Sequence, residues 1–379
     1  MTAFSHRTGL QLRSQITAAG RLELSLVSVT LPAPSADEVL VRVEAAPINP
    51  SDIGPMFGAA DLSTLQAQTV DGRAVVWADV PQRAMKAMAG RVDRSLSVGL
   101  EGAGTVIEAG DSPEAQALLG RRVALFGEAM YAQVVKARVG SCLPLPAGTS
   151  AADGASCFVN PLTALGMVET MRLEGHHALV HTAAASNLGQ MLVRLCAKDG
   201  IPLVNIVRSP AQVQQLRDLG AVWVLDSTAP QFTEQLTDAL AATGATLAFD
   251  AIGGGRMATQ ILSCMEAALL QSGKSSGRYG TTTLKQVYVY GMLDTSPTEV
   301  VRNFGMAWGM GGWLLFPFLG RAGPVRTLAL KQRVLDELHT TLASRYTKTV
   351  SLTELLDPAE IAVFAKRATG QKYLVEPNR

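Results

Sequence analysis

The sequence predicts an α/β plus β protein: a strand-rich, barrel-like first domain followed by a doubly wound parallel sheet. Three observations carry this reading. The chain has 379 residues, long for one domain. Its first half is built of short alternating segments separated by Pro and Gly turns. After Pro146 the texture changes to strands alternating with helical segments of about ten residues, the rhythm of a parallel sheet covered on both faces.

Taken in order, Leu22–Val29 and Val39–Ala45 alternate apolar and polar residues, with the turn-forming string LPAPSADE between them. Val98–Gly110 (VGLEGAGTVIEAG) is a glycine-punctuated strand, and Arg122–Phe126 and Tyr131–Lys136 are further short strands. Ala178–His181 is a short buried strand running into the loop TAAASNLG, after which Leu188, Met191, Leu192 and Leu195 recur at helical spacing. Strands then fall at Leu203–Val207, Val222–Leu225, Thr246–Asp250 and Val287–Tyr290. Helices fall between them at Gln212–Leu219, Phe232–Ala242 and Gly255–Ala268. The last stretch breaks the rhythm. Gly311–Leu319 is apolar, Leu328–Leu342 helical, and Glu360–Arg367 leads into a terminal strand, QKYLVEP, expected to return to the first domain. No internal repeat is present.

Composition bounds the function. Hydrophobic residues make up 47% and charged residues 17%, enough for large cores and too apolar for disorder. A net charge of +1 gives no electrostatic reason to expect nucleic acid or an anionic membrane as main partner. The four cysteines, Cys142, Cys157, Cys196 and Cys264, are scattered, which fits neither a structural zinc site nor a disulfide framework and suits a reducing cytosol. The N-terminal segment lacks the apolar core of a secretory signal, and it is read as leading into a strand rather than as a transit peptide. The uncharged string between Arg302 and Arg321 approaches the length of a membrane span. Its glycines and Pro317 argue for buried strand and loop instead, so no transmembrane segment is expected.

The loop after the Ala178–His181 strand is a candidate pyrophosphate site, because small residues at a helix N-terminus let backbone N–H groups approach phosphate. The GxGxxG slots hold Ala184, Ser186 and Gly189. This is either a degraded nucleotide loop or an ordinary tight connection; its place at the first βα turn of an αβ series favours the former. Where NAD-selecting sites place a carboxylate on the ribose 2′-OH, the second strand ends in IVRSP, with Arg208 there and no acid before Asp218. A guanidinium at that point pairs a 2′-phosphate and favours NADPH; the alternative is a solvated surface arginine.

The strings EVLVRVEAAPINPSDI, GLEGAGTVIEAG, NPLTALGMVE, FDAIGG and YGML, in this order, resemble the medium-chain dehydrogenase/reductase superfamily along nearly the whole chain. INPSD is similar to the quinone oxidoreductase and mitochondrial-type enoyl thioester reductase branches. Ser186, Arg208 and the segment Gly312–Trp313–Leu314 resemble the latter. The resemblance implies a GroES-like catalytic domain over residues 1–153, an inserted Rossmann NADP-binding domain over 154–303, and a segment 304–379 returning to the first. It also implies an active site in the cleft between domains and a homodimer through the nucleotide domain; the scattered cysteines suit a cytoplasmic enzyme. The zinc-ligand positions of metal-dependent relatives correspond to about Asn49, Leu100 and Val159, none a usual ligand, so no metal is expected.

Carried over by position, Asn49 and Asp52 line the nicotinamide end, Ser51 faces substrate, and Asn160 and Thr163 contact the cofactor. Ser186, Asn187 and Leu188 hold the pyrophosphate, with Arg208 on the 2′-phosphate. Ile252, Gly291 and Met292 flank the cofactor, and Lys372 contacts a phosphate. Asp52 reads equally well as a structural loop carboxylate. No catalytic role is given to His176, His177 or His181.

Two departures bear on the acceptor. The tyrosine that enoyl reductases carry shortly after NPSD is missing; the next is Tyr131. Residues 59–98 exceed the usual connection, and their AMKAMAG string is either a lid or, more in keeping with methionines at helical spacing, a surface helix. The expected activity is hydride transfer from NADPH to a quinone or similar conjugated carbonyl. Enoyl thioester or enone reduction is the alternative, and a non-catalytic NADPH-binding scaffold is the reading from a different class.

Overall fold

In the computed structural model, residues 6–70, 72–273 and 276–379 are described. The chain begins with β1 (Thr8–Ile16), β2 (Arg21–Thr30), β3 (Glu38–Pro47), α1 (Pro50–Phe57), β4 (Asp61–Val70), β5 (Arg73–Asp79) and α2 (Gln82–Met88). There follow β6 (Leu96–Ser97), β7 (Glu101–Ala109), β8 (Arg122–Phe126), β9 (Val134–Arg138) and β10 (Cys142–Pro144). The second half runs α3 (Val159–Leu173), β11 (Leu179–His181), α4 (Asn187–Asp199), β12 (Leu203–Val207), α5 (Pro210–Asp218), β13 (Trp223–Asp226), α6 (Phe232–Thr243), β14 (Leu247–Asp250) and α7 (Met257–Gln271). It closes with β15 (Lys285–Val289), β16 (Trp308–Gly312), α8 (Leu315–Asp336), β17 (Lys348–Val350), α9 (Pro358–Phe364) and β18 (Tyr373–Val375).

Two units form. The first comprises residues 1–159 and 344–379, the second residues 160–343. In the first, one sheet runs β4-β5-β2-β1-β6, and another runs β10-β8-β7-β3-β18-β17 with β9 also against β3. Their apolar faces meet in one core, with Leu12, Leu24, Val41, Val43, Phe57, Val123 and Tyr131 fully or nearly fully buried. The glycines of β7 have a steric origin. A Cβ on Gly104 would lie 2.0 Å from the Arg42 carbonyl oxygen, so only glycine allows β3 to approach there.

Residues 59–98 add the hairpin β4–β5 to the first sheet's edge, together with α2 on the surface. Met85 and Met88 pack on the core, which resolves the choice between lid and surface helix toward packing. Arg91 from this insertion closes the C-terminal end of α1. Its Nη1 donates to the Gly54 carbonyl (3.2 Å), and its Nη2 to the Pro55 carbonyl (2.8 Å) and Ser14 Oγ (2.9 Å). The insertion therefore braces the helix that carries the NPSD residues.

The second unit holds a six-stranded parallel sheet of order β13-β12-β11-β14-β15-β16. The expectation that everything after residue 303 returns to the first domain needs correction. Residues 308–312 form the sheet's sixth strand, and the return begins at Ser344, ending with β18 antiparallel to β3. Within the apolar string expected as buried strand and loop, residues 308–312 are strand, whereas residues 315–319 open α8. Pro317 is tolerated in its first turn, where no N–H partner is lost, and the helix kinks at Gly323. Among the described residues no helix is long and apolar enough to cross a membrane.

Candidate active site

In the first unit the NPSD residues start α1. Asn49 is the N-cap in extended conformation and Pro50 opens the helix, where its missing N–H costs nothing. Asp52, three residues on, folds back so that its carboxylate accepts from the Asn49 N–H (2.8 Å) and from the Leu100 N–H (3.0 Å). Both side chains are buried, whereas Ser51 lies exposed on the helix.

Beside them stands a residue the sequence reading passed over. Glu101, fully buried at the start of β7, accepts from Asn49 Nδ2 (2.8 Å) and from the Phe158 and Val159 N–H groups (2.9 and 2.8 Å). Opposite it, Lys372 donates from Nζ to Asn49 Oδ1 (3.1 Å). The Tyr131 hydroxyl donates to the Pro47 carbonyl (3.1 Å) within the same cluster, and Tyr346 bonds Ser156 (2.8 Å). Lys372, expected on a cofactor phosphate, is here buried and engaged with Asn49 and the field of Glu101.

Burial dominates the electrostatics of this cluster. It pushes the Asp52 carboxyl up to about 7 against the two backbone N–H groups that hold it down, with the Glu101 charge adding to the rise. It also raises Glu101, opposed first by the Lys372 charge. Lys372 is pulled down to about 8 by burial, with Glu101 and then Asp52 resisting. Tyr131 is raised well above its ordinary value by burial and the Asp52 charge, so its hydroxyl stays protonated.

In the second unit the candidate residues gather at the C-terminal ends of the parallel strands, around the position where strand order reverses between β11 and β14. Ser186 caps α4, accepting from the Gly189 N–H (3.1 Å), and Asn187 and Leu188 form the first turn. The turn itself is made by Ala183 at φ +51°, a conformation glycine usually supplies. Gly189 is indispensable to the geometry: a Cβ there would lie 2.1 Å from the Ala184 carbonyl oxygen, so the helix start and the loop touch. This is a cradle of small residues at the N-terminus of a 13-residue helix, and it fits a pyrophosphate.

Arg208 follows β12 directly. Its N–H donates to Gln212 Oε1 (3.1 Å), while its exposed guanidinium has no partner among the described residues. Next along the edge, Thr182 Oγ1 donates to Asp250 Oδ1 (2.7 Å), whose carboxylate accepts the Ile252 and Gly253 N–H groups (3.0 and 3.1 Å). Gly291 approaches that turn closely; a Cβ on it would lie 2.6 Å from the Ala251 carbonyl. Met292 is exposed, and Asn160 and Thr163 are buried in α3. Burial pulls His181 down to about 3, so it is neutral, paired with the Tyr290 hydroxyl at 2.7 Å.

A tight loop of small residues thus meets a helix N-terminus at the switch point of a parallel sheet, with the guanidinium of Arg208 at the end of the next strand. The fold is shared with solved structures of reductases. Along 99% of its length the chain superposes on all of a putative NADPH:quinone reductase from Mesorhizobium loti (TM-score 0.72, 24% identity). It also matches the Escherichia coli quinone oxidoreductase complexed with NADPH over 98% of this chain and all of that one (TM-score 0.65, 18% identity). In sequence it is 28% identical over 218 residues to a mitochondrial enoyl-[acyl-carrier-protein] reductase of Xenopus tropicalis, covering 53% of this chain and 51% of that one. The chain spans about half the length of the first curated relatives it matches. No family model matches it.

Proposed function

We propose that this protein is an NADPH-dependent, metal-independent reductase that delivers hydride to a quinone or similar conjugated carbonyl. The observation that carries the reading is the pairing of the Gly189 cradle with the unpartnered guanidinium of Arg208 at the end of the second strand. Arg208 would bind the 2′-phosphate through charge-assisted bonds, and the α4 N-terminus with Ser186, Asn187 and Leu188 would hold the pyrophosphate. Ile252, Gly291 and Met292 would border the rest of the cofactor, with Asn160 and Thr163 at its nicotinamide end.

When bound, the nicotinamide supplies a hydride. The chain's own residues orient and exclude water. Asn49, fixed by Glu101 and Lys372, would present its amide edge to the cofactor, and Asp52 would hold the loop that carries it. Metal independence is proposed from the residue types at 49, 100 and 159, none of them a usual ligand. A homodimer through the second unit, formed along the edge strand β16 with the exposed Leu314, Val325 and Leu328 nearby in sequence, belongs to the same proposal. So does a cytoplasmic location, suited to four unpaired cysteines.

A quinone is favoured because residues 50–130 carry no tyrosine, and the hydroxyl of Tyr131 is buried on Pro47. A quinone oxygen takes its protons from water and needs no positioned acid. The sequence likeness to enoyl reductases keeps enoyl thioesters as the second reading. Steady-state NADPH oxidation with 1,4-benzoquinone and with a trans-2-enoyl-CoA separates them. Quinone turnover at least about tenfold above the enoyl thioester in kcat/KM, about 1.4 kcal/mol of transition-state preference, is expected. The reverse ratio overturns the quinone assignment, and tight NADPH binding with no turnover of either supports the scaffold reading.

A further inference from the structure

We infer that Lys372 is a positioning residue whose ammonium, acting against Glu101 across the Asn49 carboxamide, fixes which way that amide points. The geometry is a bracket. The Asn49 carbonyl oxygen receives Lys372 Nζ at 3.1 Å, and its Nδ2 donates to Glu101 Oε1 at 2.8 Å. A flipped amide would set NH₂ against the ammonium and C=O against the carboxylate, opposing like groups at both ends. Glu101 is itself immobilised by the Phe158 and Val159 N–H groups. The bracket draws its three side chains from α1, β7 and the segment before β18, and all three are buried.

The charge on Lys372 is the variable part. The groups around it are Glu101 on β7, Asp52 on α1 with Tyr131 beside that carboxylate, and Tyr346, whose ring centroid lies 5.9 Å from Nζ. Burial lowers the lysine to about 8, so the ammonium is lost within a mildly alkaline range. A neutral amine donates weakly and leaves Glu101 without its counter-charge, so the hold on the Asn49 oxygen weakens while Glu101 still accepts from Nδ2. Below that range the amide is held from both ends; above it, from the Glu101 side. That Asn49 faces a cofactor rests on the function proposed above, whereas the bracket does not.

The test follows the Asn49 side-chain amide by NMR of protein labelled with ¹⁵N at asparagine, assigned by its disappearance in Asn49→Ser, from about pH 6.5 to 9.5 without cofactor. Wild type is expected to titrate with a midpoint near 8. Lys372→Met is expected to lack the step near 8 and to keep the wild-type alkaline position there. Lys372→Arg, which stays charged, is expected to lose the step near 8 as well while holding the acid-side position. Any step near 7 in either variant belongs to Asp52. A wild-type signal that does not move, or a Lys372→Met signal at the acid-side position, overturns the bracket. In parallel, kcat/KM for benzoquinone reduction should fall above the same midpoint in wild type and lose that limb in Lys372→Arg. Absence of all turnover with the NMR transition intact sinks the functional reading and leaves the bracket standing.

Discussion

Replacing Glu101 with leucine is expected to destabilise the first unit by about 3–5 kcal/mol, the cost of breaking a buried charged pair from one side. Three donors lose their acceptor at once: Asn49 Nδ2 and the Phe158 and Val159 N–H groups. Lys372 loses the charge that keeps a buried ammonium protonated. The leucine gains some apolar burial, about 1.5–3 kcal/mol if complete, which cannot replace three acceptor positions in a site without water access. Trp77 is the only tryptophan of the first unit, so urea unfolding followed through fluorotryptophan at that position isolates the effect. A loss below about 1 kcal/mol would mean that Glu101 behaves as an ordinary surface carboxylate.

Gly189→Ala carries the second large effect, and it falls on nucleotide binding. The new Cβ would lie 2.1 Å from the Ala184 carbonyl oxygen and 2.5 Å from its carbon, both backbone atoms that no rotamer change can move aside. The loop must shift by about 1 Å relative to the start of α4. That separates the N–H groups from any phosphate they hold, with an expected loss of NADPH affinity on the order of 100-fold. Overpacking also costs about 1–3 kcal/mol in the second unit. Isothermal titration with NADPH reads the affinity, and binding unchanged within about threefold would remove the cradle from the cofactor site.

Much of this was legible in the sequence because it depends on local pattern. Leu203–Val207 is found as expected, since a short apolar run between a helix and the turn residues RSP has one stable role in an αβ series. Gly189 was identified by its spacing from the strand, and the structure gives the spacing its steric reason. The hairpin β4–β5 was missed because DLSTLQAQTV has no alternation to detect; it is an edge strand, mostly exposed and mostly polar. The strand β16 was hidden by its glycines, WGMGG, which carry little strand preference and are held by pairing with β15. The bracket around Asn49 was invisible for another reason. Glu101 and Lys372 lie far apart in the chain and meet only because β18 returns to pair with β3. A lone acid inside the apolar string GLEGAG was the one local signal that a buried partner existed.

Titration of the protein with NADPH and NADH, for wild type and Arg208→Ala, tests the central claim most directly. NADPH is expected to be preferred over NADH by about 10- to 150-fold in wild type, from a charge-assisted phosphate contact worth about 1.5–3 kcal/mol. In Arg208→Ala that preference collapses to within a few-fold. Equal affinities in wild type, or a preference that survives the substitution, would contradict it and return Arg208 to the surface.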